Sequence, residues 1–186
     1  MYRSKKLILR ALCDADIDSI LEMRTDITGI KAAGGLPFAS NEYGIRNWIT
    51  NLYPKNNPTT ITLAVTEAET GDFVGYASAL NISYLNRNAH VGFFFHKNGQ
   101  GKGYFKETQI IFYAYLFQEI NLHKVYSYAL EYNEFVIAVD KKIGFKEEGV
   151  MQEHIYQGGE YHNAIMLGLT AKDFYILHKI KDIIIT

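Results

Sequence analysis

Short runs rich in β-branched and aromatic residues alternate along this chain with stretches whose apolar positions recur at helical spacing. Leu7-Ile8-Leu9-Arg10-Ala11 predicts an opening strand, and Asp14 offers an N-cap for a helix carrying Ile17, Ile20, Leu21 and Arg24. A second helix is expected over residues 40–53. Residues 60–68 and 73–84 read as strands joined by the turn Glu69-Thr70-Gly71-Asp72, and 89–96 as a further strand. Residues 104–120 predict a long helix, apolar nearly all round from Ile110 to Phe117 and therefore buried. A strand over 124–130 follows, then a short helix from Asn133 that Gly144 ends. Two last strands, 145–156 and 161–169, flank Gly158-Gly159, a two-residue hairpin turn. The order is mixed α+β, with a β-loop-α-β unit in the middle.

Composition narrows this picture. At 186 residues with 48% hydrophobic content, one ordinary domain over residues 1–186 is expected, and disorder is not. The three prolines all fall in the first third, and no repeat or Ser/Pro-rich linker divides the chain. Lysine and arginine total 19 against 20 acidic residues, so nothing favours nucleic acid or an anionic membrane as a partner. The basic start followed by Leu7-Ile8-Leu9 imitates a signal peptide, but Arg10 and Asp14 break the apolar run. With Cys13 as the lone cysteine, a cytoplasmic protein is expected. The six histidines form no His-Glu-x-x-His or Cys/His cluster, so no metal site is expected.

Candidate chemistry concentrates in Asn98-Gly99-Gln100-Gly101-Lys102-Gly103-Tyr104, between a strand and a helix. The first helical turn leaves backbone N–H groups without internal partners, and the macrodipole adds positive charge there. Glycines let a phosphate approach that backbone. A Walker A loop needs Ser or Thr after Gly-Lys, where this chain has Gly103. The dinucleotide pattern Gly-x-Gly-x-x-Gly fails at Tyr104 or Lys106. A glycine cluster alone also suits a plain flexible connection.

From Phe73 through Leu169 the chain resembles the GNAT acetyltransferase superfamily. Gln100-x-x-Gly103-x-Phe105 follows that family's acetyl-CoA signature, (Gln/Arg)-x-x-Gly-x-(Gly/Ala). Asn121-Leu122-His123-Lys124-Val125, Glu131-Tyr132-Asn133 and Ile143-Gly144-Phe145-Lys146-Glu147-Glu148-Gly149 follow in family order. They are similar to the branch that holds ribosomal-protein and spermidine acetyltransferases. The resemblance implies a mixed central sheet whose middle strands splay apart, flanked by helices. It implies an enzyme that takes acetyl-CoA as co-substrate and acetylates an amine on a small molecule, an amino sugar or a protein N-terminus. By the same resemblance, backbone around Phe94, Phe95 and His96 pairs with the pantetheine arm. Gln100, Gly101, Lys102, Gly103 and Tyr104 hold the diphosphate, and Asn133 lies near the thioester.

Two residues depart from the family pattern. Phe105 replaces a small residue and either crowds the diphosphate or points into the core. Asp140 stands where the family carries a tyrosine general acid, and it is ionised at pH 7 unless buried. A base is also required, because only a free amine attacks. Alternation along residues 89–96 puts His90, Gly92, Phe94 and His96 on one face, which makes His90 a base candidate or a plain sheet-surface residue. Glu131, at the end of the next strand, is a second base candidate or an exposed charge. Tyr84, Tyr126 and Tyr128 are candidate lining for an acceptor pocket. The alternative on the same fold is a non-catalytic acyl-CoA-binding or regulatory module. Finally, Phe174, Leu177, Ile180 and Ile184 form an apolar stripe at helical spacing, to pack on its own domain or against a second subunit of a homodimer.

Overall fold

The computed structural model describes residues 2–26, 39–53 and 58–179, together with the backbone of Ile184–Ile185. In chain order the elements are β1 (Tyr2–Arg3), β2 (Leu7–Arg10), α1 (Ile17–Thr25), α2 (Glu42–Asn51), β3 (Ile61–Glu67), β4 (Phe73–Ser83) and β5 (Asn88–Phe95). They continue as α3 (Tyr104–Gln118), β6 (Lys124–Leu130), α4 (Glu134–Ile143), β7 (Lys146–Gln157), β8 (Glu160–Thr170), α5 (Ala171–Leu177) and β9 (Ile184–Ile185). Among the described residues the strands form one mixed sheet in the order β7-β8-β6-β5-β4-β3-β2-β1-β9. Its one parallel pair, β5 and β6, is bridged by α3, as a parallel crossover requires.

The sheet divides two apolar clusters. Along β3, Ala64 belongs to one cluster and its neighbour Val65 to the other, so they lie on opposite faces. On one face α3 inserts Phe112, Tyr113 and Leu116, all fully buried, against Leu7, Val125 and Leu167. On the other, Ile17 and Ile20 of α1 pack with Ile45 and Ile49 of α2 over Ala64. The Gly158-Gly159 turn forms as expected: both glycines have positive φ (67° and 96°), and Gln157 pairs with Glu160 across them.

Two expectations are corrected here. Asp14 does not cap α1; it lies in a 3-10 turn over Asp14–Asp16. The nearby buried carboxylate is Asp16, which receives both guanidinium nitrogens of Arg10 at 2.8 and 2.7 Å and the Cys13 N–H at 2.9 Å. The apolar stripe near the end is not one helix, because α5 stops at Leu177 and Ile184 pairs as strand with Arg3. Phe174 is fully buried, whereas Leu177 is exposed. Ile180, Pro37 and Pro54 lie outside the described residues.

Candidate active site

β5 and β6 pair only over Asn88↔Lys124, Ala89↔Val125 and His90↔Tyr126. Beyond that point each keeps its outer partner. β5 follows β4 as far as Gly75↔Phe95, and β6 follows β8 as far as Leu130↔Ala164. The middle of the sheet therefore opens, and a cavity of about 1480 Å³ occupies the opening. Gly75 is what allows β4 to stay that close, since a side chain there would overlap the Phe94 carbonyl.

One wall of the cavity faces α1 and α2 and is built of rings. The His90 imidazole lies 5.0 Å from Tyr128 and 5.7 Å from Tyr126, centroid to centroid. Phe94 stacks on Tyr76 at 4.9 Å, Tyr76 meets Trp48 at 5.5 Å, and the Arg24 guanidinium sits 4.9 Å over Trp48. Burial pushes the His90 pKa below its ordinary 6.5, so its imidazole is neutral at pH 7.

The other wall faces α3 and α4. Phe105 packs edge-on against Phe93 and Phe95, each at 5.8 Å, and lies 5.8 Å from Phe135. Its half-buried ring thus lines the cavity among other rings and does not point into the core. Asp140, 1% exposed, accepts from Gln109 Nε2 at 2.6 Å and from the Ser127 hydroxyl at 3.1 Å. Burial raises its pKa to about 6, outweighing both hydrogen bonds. The carboxyl that the sequence leaves ionised unless buried is buried. Among the described residues Gln109 Oε1 is also buried without a partner.

The glycine loop closes one end. Gly101 and Gly103 hold positive φ (74° and 78°), and a Cβ on either would enter open space. Gly103 is the N-cap of α3 and supplies no side-chain cap, which leaves the first-turn N–H groups facing outward. This is a cradle with room for an anion at a helix start. Lys102, however, is drawn to the side. Its Nζ lies 2.7 Å from Glu67 Oε1, which the Tyr104 hydroxyl also reaches at 3.0 Å.

The remaining candidates separate. Asn133 caps α4 through its side chain, accepting from Val136 N at 3.3 Å, and lines the cavity with Phe94, Phe95 and Gln100. His96 also lines it, but its N–H is spent on the Val74 carbonyl at 2.9 Å and its Nε2 sits 2.9 Å from Glu22. Glu131 is outside the lining; it accepts from the Asn163 side chain at 2.9 Å and backbone N–H at 3.2 Å. Ser127, Gln109, Arg24 and Tyr76 were not singled out from sequence. Gln109, a polar residue opening an otherwise apolar helical run, was the one signal available.

Comparison with known proteins follows this geometry. Residues 6–146 match the family described as acetyltransferase (GNAT) domain. YdaF of Bacillus subtilis (strain 168), which carries a ribosomal N-acetyltransferase name, is 31% identical over 104 residues, covering 56% of this chain and 57% of YdaF. Spermidine N(1)-acetyltransferase of Escherichia coli (strain K12) is 28% identical over 109 residues, covering 59% of each chain. The chain thus spans little more than half the length of those two relatives. In fold it is similar to the crystal structure of spermidine N-acetyltransferase from Vibrio cholerae in complex with CoA and spermine. There the TM-score is 0.84 at 21% identity, over 91% of this chain and 98% of that one. No helix among the described residues is long and apolar enough to cross a membrane.

Proposed function

The chain belongs to the GNAT acetyltransferase family, and on that premise we propose that it transfers the acetyl group of acetyl-CoA to a primary amine held between β5 and β6. The observation that carries the reading is the opening of the sheet beyond His90↔Tyr126, with a glycine-lined helix start at one end of the cavity. Acetyl-CoA supplies an activated thioester. The residues that hold it are Gln100, Gly101, Gly103 and Tyr104 at the diphosphate, with Lys102 swinging from Glu67 to join them. Backbone of Phe94 and Phe95 pairs with the arm, and Asn133 lies at its inner end. His96 contributes packing, since its N–H is already committed.

His90 accepts the amine proton, directly or through water. Its half-buried, neutral ring suits that role, and Glu131, outside the lining, is engaged by Asn163. As the C–N bond forms and the C–S bond breaks, the departing thiolate takes a proton. Asp140 is the donor on this reading: with a pKa near 6 about a tenth of it stays protonated at pH 7, and that fraction is acidic enough to protonate a thiolate whose acid has a pKa of about 8.5. Ser127 and Gln109 fix its orientation. One domain over 1–186, a cytoplasmic setting suited to the lone Cys13, and a homodimer through exposed Val150, Tyr156 and Tyr161 of the β7–β8 hairpin belong to the same proposal.

The test is thiol release from acetyl-CoA across a panel of amines. Turnover of any primary amine supports transfer. Saturable acetyl-CoA binding without turnover on a broad panel favours a non-catalytic acyl-CoA-binding module instead.

A further inference from the structure

Within the proposed transferase, the cavity wall facing α1 and α2 says something about the acceptor. Its floor between His90 and Phe94 is Gly92, where an added Cβ would meet nothing closer than the Phe94 ring at 3.9 Å. Rings stand on either side of that opening: His90 and Tyr128, backed by Tyr126, at one end, and Phe94 and Tyr76, backed by Trp48, at the other. A slot of this kind favours a flat, unsaturated body, because aromatic pairs gain beyond the area they bury.

Charge at the rim is balanced in number, Glu22 and Asp26 against Lys97 and Arg24, but not in pairing. The two acidic rim residues face Lys97: Glu22 pairs with it directly and with His96 Nε2 at 2.9 Å, and Asp26 acts on the same ammonium. Arg24 has no such balance. Its guanidinium lies over the Trp48 ring, 3.4 Å from Ser40 Oγ, and acts electrostatically on the Tyr76 hydroxyl. Among the described residues it meets no carboxylate. A polycation would need a surplus of acids here, and the rim has none: Glu22 and Asp26 are matched by Lys97 and Arg24, and the Arg24 guanidinium carries no carboxylate of its own. Arginine's planar fork suits a carboxylate in two parallel hydrogen bonds.

On the reading of this cavity as the acetyl-acceptor site, we infer that the acceptor is a primary amine on an aromatic or similarly flat body whose far end carries a carboxylate bound by Arg24.

Two matched pairs of amines test this against spermidine. The first is 4-(aminomethyl)benzoate and its carboxamide, the second glycyl-tyrosine and glycyl-tyrosinamide. For at least one pair the acid is expected to exceed its amide in kcat/KM by about tenfold or more, the scale of a charge-assisted hydrogen-bonded pair, and to exceed spermidine. Arg24→Met should bring that ratio to about one, and Arg24→Lys should restore part of it. If Arg24 only props Trp48, Arg24→Met lowers acid and amide alike and leaves the ratio unchanged, which overturns the inference. So does spermidine as the best substrate, or acetyl-CoA binding with no turnover of any of these amines. Failure of acetyl-CoA to bind at all is a different result, and it strikes the transferase reading itself.

Discussion

His90, half-buried, and Asp140, buried, are ionisable groups on opposite walls of one cavity, and desolvation moves each toward its neutral form. For His90 the direction is downward, so the neutral base persists at pH values where an exposed histidine is charged. The acid limb of kcat/KM against pH should therefore fall below pH 6.5, the ordinary value, and a limb above it would remove His90 as the base. His90→Ala should lower kcat by about 10²-fold or more while leaving acetyl-CoA affinity nearly unchanged. An equal loss of both would mean a structural role. For Asp140 the direction is upward, from 3.8 to about 6, so the folded state holds its proton more tightly than the unfolded chain does. Its favourable contribution is then complete below pH 3.8 and is lost as pH rises through about 6. Asp140→Asn keeps an acceptor for Gln109 without the charge. It should stabilise the protein by roughly 1–3 kcal/mol at pH 8 and hardly at all near pH 3, by urea unfolding at each pH. The same variant should lose turnover if Asp140 is the donor. Equal stabilisation at both pH values would mean that its carboxyl is not strained by burial.

At the scale of elements, the glycine loop and the start of α3 act together. Gly103 needs positive φ and also keeps the helix start open. Gly71 has nearly the same φ, 79°, and equal open space, but it sits in the β3–β4 turn away from the cavity lining. Valine at either position should strain the backbone by about 1–3 kcal/mol, and only Gly103→Val should weaken acetyl-CoA binding, by about tenfold or more. Equal affinity in the two variants would sink the cradle assignment. Lys102 is held by Glu67, so anion binding must compete with that pair. Glu67→Gln is expected to tighten acetyl-CoA binding a few-fold at low salt, an advantage that added salt erases.

For the whole molecule, one sheet carries both apolar clusters back to back through Ala64 and Val65. Unfolding should be a single transition: Trp48 fluorescence, reporting the α1–α2 face, should coincide with far-ultraviolet dichroism in urea, and separated midpoints would mean two cooperative units. Much of this architecture is legible in the sequence because local signals agree with it. The β3–β4 turn, the Gly158-Gly159 hairpin and the Asn133 and Gly144 ends of α4 are written in turn and cap residues. What is not legible depends on partners distant in sequence. Asp14 looks like a cap until Arg10 selects Asp16, and Ile184 looks helical until it finds Arg3. The family resemblance implied splayed middle strands, but where the splay begins is set by β4 and β8 holding the strands apart. The Asp140 environment needs Gln109 and Ser127, from two other elements, to come together. The most direct test of the central claim is calorimetric titration of the purified protein with acetyl-CoA, with ATP and NAD as controls. The splayed sheet and open helix start predict saturable binding of acetyl-CoA at one site per chain and none of the controls. No heat with acetyl-CoA, or equal binding of ATP, would contradict the account.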